Sequence, residues 1–189
     1  MPVAEYRPNS HAIVYRVDPA TLEATEVLRA GDHIGGIVRD PDANTLHGVS
    51  WGSRRFYRWT LGTGGRVTNA AAAPAALRTL NPSHYVDYQD CKYAGRRRML
   101  CTGVADLRRP SDTIPFRLGG IDLVDLTDGR PIHQVPVPLW TAGGLAMTHN
   151  PVWLEAIGPD DRTTRQPGLR VYFMPEDDVS TLYIYEVTF

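Results

Sequence analysis

Polar and acidic side chains recur along this chain beside short runs of alternating apolar residues. Carboxylate and amide oxygens of this kind are the ligands that suit Ca²⁺ or Mg²⁺. The candidate ligands for such an ion are Glu5, Asp106, Asn150 and Glu176. The alternative is that these groups end strands and line a wet channel, in which case the chain needs no cofactor. Which interpretation holds depends on the strands that position these residues.

Two histidines and two cysteines add further candidate chemistry. His33 and His149 have the side chain of a general base or a metal ligand, and the alternative is a hydrogen-bonded role in a channel. Cys91 and Cys101 lack the CxxC spacing of a metal or redox site. They flank a short turn at residues 94–97, so we expect them to face each other across a hairpin as small, buried and reduced residues.

The stretch at residues 33–59, HIGGIVRDPDANTLHGVSWGSRRFYRW, sets the pattern for the rest of the chain. Its β-like runs, at residues 33–39, 45–51 and 55–60, are separated by a DPDAN turn and by a short gap. Another run follows at residues 66–69. Four antiparallel strands within about 40 residues are typical of a β-meander, which is the size of one propeller blade.

Comparable runs fill most of the chain, in units at residues 2–30, 31–70, 84–138 and 145–189, with three, four, four and three strands. We therefore predict an all-β fold over residues 1–189 as a single domain: a partial β-propeller of about four blade-like antiparallel meanders. The first unit is expected to lack its innermost strand and the last unit its outermost strand, as in an N-terminally truncated member of a longer family.

Strand order brings one set of polar groups together. In such a blade the start of the innermost strand and the end of the second strand lie at the same mouth of the central channel, where ligands commonly bind. The predicted ligand-binding residues at this mouth are His33, Trp51, Arg54, Gln89, Asp90, His149, Asn150, Glu176 and Asp177. Trp51 and Trp153 are the tryptophans that we consider for ligand stacking.

The bulk composition disfavours several classes of function. The formal net charge is −1, which provides no basic surface for nucleic acid or for an acidic membrane. No apolar run reaches the roughly 18 residues of a membrane helix, and no segment reads as a signal peptide. We therefore expect a cytoplasmic protein without a nucleic-acid or membrane partner.

Several segments carry a resemblance to a known family. They read YRPNSHAIVYRVDP, HIGGIVRD, GVSWGSRRFYRW, HYVDYQDCKY, GGIDLVDL, NPVWLE and YFMPEDD, and together they span most of the chain. At these residues the chain resembles a family of uncharacterised bacterial β-propeller proteins, a domain of unknown function. The resemblance implies blades ahead of the present start and brings no established activity. In architecture the chain is more distantly similar to gluconolactonase-like and strictosidine-synthase-like propellers.

These observations favour a binding scaffold for a small-molecule or protein ligand, with a polar and acidic channel mouth. The alternative is a metal-assisted lactonase- or esterase-like hydrolase that uses Ca²⁺ or Mg²⁺ at that mouth. The open sides of the first and last units are further expected to promote self-association, because unpaired edges and uncovered apolar faces attract another chain. These sides carry Ile13, Tyr15, Tyr183 and Tyr185.

Overall fold

The computed structural model describes residues 2–4, 11–50, 55–68, 87–107, 116–137, 152–158, 168–174 and 181–188. Its regular elements in this part of the chain are β-strands and one short 3₁₀ turn, Thr63–Gly65. The strands are β1 (Pro2–Ala4), β2 (Ala12–Val17), β3 (Ala24–Ala30), β4 (Ile34–Asp40), β5 (Thr45–Ser50), β6 (Phe56–Thr60), β7 (Asp87–Gly95), β8 (Arg98–Leu107), β9 (Phe116–Asp125), β10 (Pro131–Val137), β11 (Val152–Ile157), β12 (Gly168–Phe173) and β13 (Tyr183–Thr188).

The strands form four antiparallel sheets, each of which is a meander of consecutive strands. Sheet 1 contains β1–β3, sheet 2 contains β4–β6, sheet 3 contains β7–β10 and sheet 4 contains β11–β13. The predicted all-β fold with four blade-like meanders is therefore confirmed. Nothing helical within the described ranges has both the length and the apolar character of a membrane-spanning segment.

The predicted fourth strand of the second unit, at residues 66–69, is wrong for the part that the structure describes. This segment makes only an isolated bridge, between Val67 and Leu61. The backbone N–H of Val67 instead donates to the carbonyl oxygen of Val27 in β3, at 3.3 Å. The segment therefore links sheet 2 to sheet 1, because its hydrogen-bonding groups are shared between two sheets.

The first strands of the four sheets lie side by side. β1 lies beside β4, β4 beside β7, and β7 beside β11. The prediction that the first unit lacks its innermost strand is therefore wrong, since β1 holds in sheet 1 the position that β4 holds in sheet 2. The sequence of β1 alone could not reveal this, because the neighbour that defines the position comes 30 residues later in the chain.

Three apolar clusters join the sheets in chain order. Between sheets 1 and 2 lie Ala12, Val14, Leu28, Ala30, Ile34, Tyr57 and Trp59. Between sheets 2 and 3 lie Val38, Val49, Phe56, Tyr88, Cys91, Met99, Cys101, Val124 and Leu126. Between sheets 3 and 4 lie Val152 and Val171, with Leu100, Leu154 and Tyr183 packed against them. Each inner sheet thus buries apolar residues on both of its faces.

Cys91 and Cys101 form a disulfide, which corrects the expectation that both are reduced. They are directly opposite each other in the β7–β8 pairing, as predicted, with their Cα atoms 4.1 Å apart. The bond lies inside the cluster between sheets 2 and 3. A Cβ built on Gly36 of β4 would lie 3.3 Å from Sγ of Cys91, so the bond packs directly against the β4 backbone.

The turn between β9 and β10 reaches across to sheet 2. Gly129 in this turn has a φ of +80°, and a Cβ built on it would lie 2.7 Å from the ring of Phe56. Glycine satisfies both demands, because it adopts positive φ readily and has no side chain. The turn is closed by Asp125, whose side chain accepts from the backbone N–H of Thr127 at 2.6 Å.

Candidate functional site

The strands β4, β6, β7 and β11 all begin on one side of the molecule, which we call the starting edge. Of the predicted ligand-binding residues, the structure places His33, Gln89 and Asp90 at this edge. Asp106 belongs to β8, and its side chain is outside the described part of the chain. The remaining predicted residues of the ligand and metal sites lie outside the described residues: Glu5, Trp51, Arg54, His149, Asn150, Glu176 and Asp177.

Asp32 lies two residues before β4 and organises the starting edge of sheet 2. Its buried carboxylate accepts hydrogen bonds from the hydroxyl of Tyr57 and from the backbone N–H of His33, both at 2.8 Å. The ring of Tyr57 stacks on Trp59 with centroids 5.2 Å apart, and burial raises the pKa of the Tyr57 hydroxyl. The hydroxyl is therefore a hydrogen-bond donor that holds the carboxylate of Asp32 in place.

Arg55 completes this group from the start of β6. Its Nη1 lies 3.6 Å from the carboxylate of Asp32, and its pKa is raised by its hydrogen bond to Tyr57 and by Asp32. Its backbone N–H donates to Oγ of Ser50 at 2.9 Å. The side chain is 56% exposed. Arg55 is thus a permanent positive charge that is anchored on one side and open to solvent on the other.

Asp90 joins sheet 3 to sheet 4. Its carboxylate accepts from the ammonium of Lys92 at 2.8 and 2.9 Å and from the backbone N–H of Cys91 at 2.9 Å. It also accepts from the backbone N–H of Val152, the first residue of β11, at 2.9 Å. The predicted ligand residue Asp90 therefore has protein donors on both oxygens, and its neighbour Gln89 is half-buried.

Ser50 lies in GVSWG, whose spacing matches the GxSxG of a nucleophile elbow. Such an elbow needs an exposed serine on a sharp turn from a strand into a helix. Ser50 instead ends β5, it is fully buried, and β6 is the next described element. Its Oγ is the acceptor for Arg55. Ser50 therefore positions the start of β6.

A second polar group lies at the other end of β4, where no site was predicted. Asp40 is fully buried, and its Oδ2 lies 3.6 Å from Nε of Arg97 in the β7–β8 turn. Its Oδ1 accepts from the backbone N–H groups of Asp42 and Ala43 at 3.0 and 3.3 Å, as the DPDAN turn predicts. Asp42 in turn accepts from the hydroxyl of Tyr93 at 2.6 Å. These contacts tie the ends of β4 and β7 together.

His47 lies next to this group within the contact between sheets 2 and 3. Its Nε2 is 2.8 Å from Oγ1 of Thr45, and its ring stacks on Phe56 with centroids 5.5 Å apart. Burial lowers the pKa of His47 to about 4, and the nearby positive charges of Arg58 and Arg97 act in the same direction. The ring is therefore neutral at neutral pH. Sequence reasoning missed it because it occupies an ordinary inward position of β5.

Tyr88 and Asp122 form another buried tyrosine–carboxylate pair, inside sheet 3. The hydroxyl of Tyr88 donates to Oδ2 of Asp122 at 2.6 Å, and burial raises the pKa of Tyr88. The pair repeats the chemistry of Tyr57 and Asp32 one sheet further along the chain. Buried carboxylates thus act here as acceptors that fix strands.

The described side chains contain no group of three or more His, Cys, Asp or Glu residues that could hold a metal ion. The predicted metal ligands Glu5, Asp106, Asn150 and Glu176 are not among those side chains. The Ca²⁺ or Mg²⁺ site, and the hydrolase that would depend on it, therefore stay predictions.

The face of sheet 4 that points away from sheet 3 carries apolar side chains that are open to solvent. Trp153 is opposite Tyr172, and Tyr172 is opposite Ile184, so the three form one row across the sheet. Trp153 is 63% exposed and Ile184 is 53% exposed. We call this surface the outer face of sheet 4. Tyr183, which was predicted to lie on an open side, instead packs inward against Val152 and Val171.

Comparison with solved structures finds weak likeness only. A chain of the Saccharomyces cerevisiae complex of a Dbp5 variant bound to Nup159, a Gle1 variant, IP6 and ADP matches with a TM-score of 0.46 at 10% identity, over 98% of this chain and 49% of that chain. An acylaminoacyl peptidase in complex with Z-Gly-Gly-Phe-chloromethyl ketone matches with a TM-score of 0.41 at 10% identity, over 100% of this chain and 32% of that chain. Kuenenia stuttgartiensis hydrazine synthase matches with a TM-score of 0.35 at 10% identity, over 93% of this chain and 60% of that chain.

The chain thus spans between 32% and 60% of the lengths of these structures. No curated protein matches its sequence. One family model does match, a family of unknown function called DUF6454, and the match covers residues 1–189. This agrees with the resemblance of its segments to a domain of unknown function. The chain therefore belongs to the DUF6454 family.

Proposed function

We propose that this protein is a non-catalytic binding scaffold that takes a small anionic ligand at its starting edge. The observation that carries the proposal is the state of Arg55, whose guanidinium is anchored by Asp32 and Tyr57 and yet is half-exposed. A guanidinium offers a planar fork of N–H donors that matches a carboxylate or a phosphate. Arg55 is therefore the group around which we place the ligand.

The carboxylates of this edge support a scaffold over a hydrolase. Asp32 accepts from Tyr57 and from a backbone N–H, while Asp90 accepts from Lys92 and from two backbone N–H groups. A carboxylate that serves a metal or acts as a general base needs an oxygen that is available to that partner. In the described part of the edge, both acidic groups hold strands in place.

Anchoring also makes Arg55 a better binding group than an ordinary surface arginine. A free arginine side chain loses rotamer entropy when it orders around a ligand, and the ion pair of Arg55 with Asp32 at 3.6 Å offsets part of that loss. Trp51 and Arg54 precede Arg55 closely in the chain. We include them in the proposed site as a stacking surface and a second cation.

The proposal is tested by titrating the protein with small carboxylates and phosphate monoesters, and with neutral and cationic analogues of the same size, by isothermal calorimetry. We expect anions alone to bind. Arg55→Gln should weaken that binding by roughly tenfold or more, since a hydrogen bond to a charged group contributes about 1.5–3 kcal/mol. The matched control is Arg29→Gln, which removes an exposed arginine paired with Glu26 on sheet 1. Equal affinities for the two variants would remove Arg55 from the site.

The hydrolase alternative has its own test. Hydrolysis of a panel of lactones and esters is followed with added Ca²⁺ or Mg²⁺ and with EDTA, in wild type and in Glu176→Ala. A scaffold gives no turnover under any of these conditions. Turnover that needs the ion and disappears in Glu176→Ala would establish the hydrolase instead.

A further inference from the structure

We propose that Asp32 restricts the anion site at Arg55 to ligands with a single negative charge, so that the site favours a monocarboxylate over a phosphate monoester. The inference rests on the proposed function, because it names the ligand class of that same site and the residue that selects it. Its basis is the position and the burial of the carboxylate of Asp32 beside the guanidinium of Arg55.

The carboxylate of Asp32 is a fixed negative charge on the protein side of the guanidinium. Its Oδ2 lies 3.6 Å from Nη1 of Arg55. The hydroxyl of Tyr57 and the backbone N–H of His33 each donate to this carboxylate at 2.8 Å. The two hydrogen bonds come from different strands of sheet 2 and hold the carboxylate in one position. A ligand at Arg55 therefore meets a negative charge that does not move away.

Arg55 lies between this carboxylate and the solvent. The side chain of Arg55 is 56% exposed, whereas that of Asp32 is 5% exposed. A ligand that bonds the solvent side of the guanidinium therefore has Asp32 on the other side of the same planar group. Two anions on one guanidinium are closer together than the screening length of about 10 Å at 0.1 M salt. The repulsion from Asp32 therefore reaches the ligand, and it increases with the charge of the ligand.

The charges of the proposed site match one negative charge on the ligand. Arg55 contributes a positive charge, and so does Arg54, which the proposed function includes as a second cation. Asp32 balances one of these two charges, and a carboxylate ligand balances the other. A phosphate monoester carries a charge of about −1.5 to −2 at neutral pH, so it would leave surplus negative charge beside a buried carboxylate.

The charged pair of sheet 3 at the starting edge does not change this balance. The ammonium of Lys92 donates to both oxygens of Asp90, at 2.8 and 2.9 Å. The same carboxylate accepts from the backbone N–H of Val152 at 2.9 Å, which fixes the pair between sheets 3 and 4. Lys92 and Asp90 together add no net charge to the edge. The second charge of a phosphate monoester therefore gains no cation from this pair.

Removal of the charge on Asp32 should reverse the preference of the site. Asparagine has the same shape, and its side-chain oxygen still accepts the hydrogen bonds from Tyr57 and from the N–H of His33. In Asp32→Asn the positive charges of the proposed site are no longer balanced by the protein, and their sum matches a phosphate monoester. Asp32 is therefore the residue that determines which class of anion binds.

The test measures dissociation constants by isothermal calorimetry, at neutral pH and low salt, for benzoate, methyl phenyl phosphate and phenyl phosphate. Each ligand has one phenyl group; the first two carry one negative charge and the third carries nearly two. We expect wild type to bind both singly charged ligands more tightly than phenyl phosphate, by roughly threefold or more. Asp32→Asn should bind phenyl phosphate most tightly.

The matched control is Asp42→Asn, which removes a charge beyond the other end of β4. Asp42 also accepts a hydrogen bond from a tyrosine hydroxyl, that of Tyr93 at 2.6 Å, so the substitution changes the same kind of pair. The control should keep the wild-type order of the three ligands. A reversed order in this variant would show that the total charge of the protein, and not the position of Asp32, sets the preference.

The outcomes separate this inference from the proposed function. If wild type binds none of the three ligands, or if Arg55→Gln binds them as tightly as wild type, the proposed function fails and the inference fails with it. If the ligands bind through Arg55 but phenyl phosphate binds as tightly as benzoate, only the inference is overturned. Methyl phenyl phosphate that binds as weakly as phenyl phosphate, or an unchanged order in Asp32→Asn, would also overturn it. Thermal unfolding reports whether each variant is folded, and the wild-type series decides the charge preference without any variant.

Discussion

Trp59 of sheet 2 and Trp153 of sheet 4 lie in strands of similar length, but Trp59 is buried and Trp153 is exposed to solvent. Trp59 is 2% exposed, stacks on Tyr57 and lies so close to Gly48 that a Cβ there would be 2.8 Å from its ring. Trp153 is 63% exposed and has Tyr172 as its cross-strand neighbour. The residue type is the same, so the difference comes from the neighbouring sheet. Trp59 belongs to the apolar cluster between sheets 1 and 2, whereas most of the Trp153 side chain is in contact with solvent.

The largest expected effect on the free energy of unfolding comes from replacing each of these two tryptophans by alanine. Trp59→Ala should lower the free energy of unfolding by about 3–5 kcal/mol, because it removes a buried ring and leaves a cavity. Trp153→Ala should change it by less than about 0.5 kcal/mol in the monomer, because its ring is mostly in water. Urea unfolding at low protein concentration measures both values. Similar losses in the two variants would contradict the comparison.

Removal of the disulfide should have the next largest effect on the free energy of unfolding. The structural change that results should be confined to the inner sheets. Replacing both Cys91 and Cys101 by alanine should lower the free energy of unfolding by about 3 kcal/mol, as expected for a link that closes a loop of about ten residues. Hydrogen exchange should accelerate in β7 and β8 and stay unchanged in β13. The bond itself is checked by intact mass, and equal unfolding midpoints for wild type and variant would argue against its structural role.

His47 should make the contact between sheets 2 and 3 sensitive to acid. Its pKa falls from 6.5 to about 4 on folding, so the unfolded chain binds the proton first as the pH decreases. The stability that it contributes is complete above pH 6.5 and is lost as the pH falls to about 4. The full loss is about 3 kcal/mol.

The measurement is urea unfolding at a series of pH values between neutral and mildly acidic. His47→Gln should flatten the dependence of the unfolding free energy on pH in this range. The control is His133→Gln, which changes an exposed histidine and should leave the dependence as in wild type. The charged groups around the ring are Asp40, Arg58 and Arg97, so the same series in Arg97→Gln tests whether burial is the main cause. A wild-type slope that survives in His47→Gln would assign the acid sensitivity to another group.

The smallest predicted effect concerns the attachment of sheet 4. Asp90→Asn keeps the shape of the side chain and removes its charge, so its bonds to Lys92 and to the N–H of Val152 weaken. We expect a loss of about 1 kcal/mol and faster hydrogen exchange at Val152. The control Asp128→Asn breaks an exposed pair with Arg130 and should cost less than about 0.5 kcal/mol. Slow exchange at Val152 in Asp90→Asn would show that sheet 4 is held in another way.

Features that depend on nearby residues could be predicted from the sequence. The DPDAN turn follows from Asp40, whose side chain caps the backbone two and three residues later. The pairing of Cys91 with Cys101 follows from their position on either side of one tight turn. The four meanders follow from alternating apolar residues between such turns. In each case the physical cause lies within a few residues of its effect.

Features that depend on distant residues could not be predicted. Residues 66–69 have the pattern of a strand, but the N–H of Val67 finds its acceptor at Val27 in another sheet. Tyr183 was assigned to an open side, yet alternation by a single residue places it inward and Ile184 outward. Asp90 at the starting edge was predicted as a ligand because one of its donors, the N–H of Val152, is 62 residues away.

The turn between β9 and β10 also bears on how sequences of this family can diverge. A side chain at position 129 would have to adopt a positive φ and would collide with the ring of Phe56. The neighbouring Asp128 and Arg130 are exposed and meet no such limit. We therefore expect natural family members with an aromatic residue at position 56 to keep glycine at position 129. Positions 128 and 130 should vary in sequence without this constraint. Substitutions at positions 56 and 129 should then appear together, because a smaller residue at one position makes room for a larger one at the other.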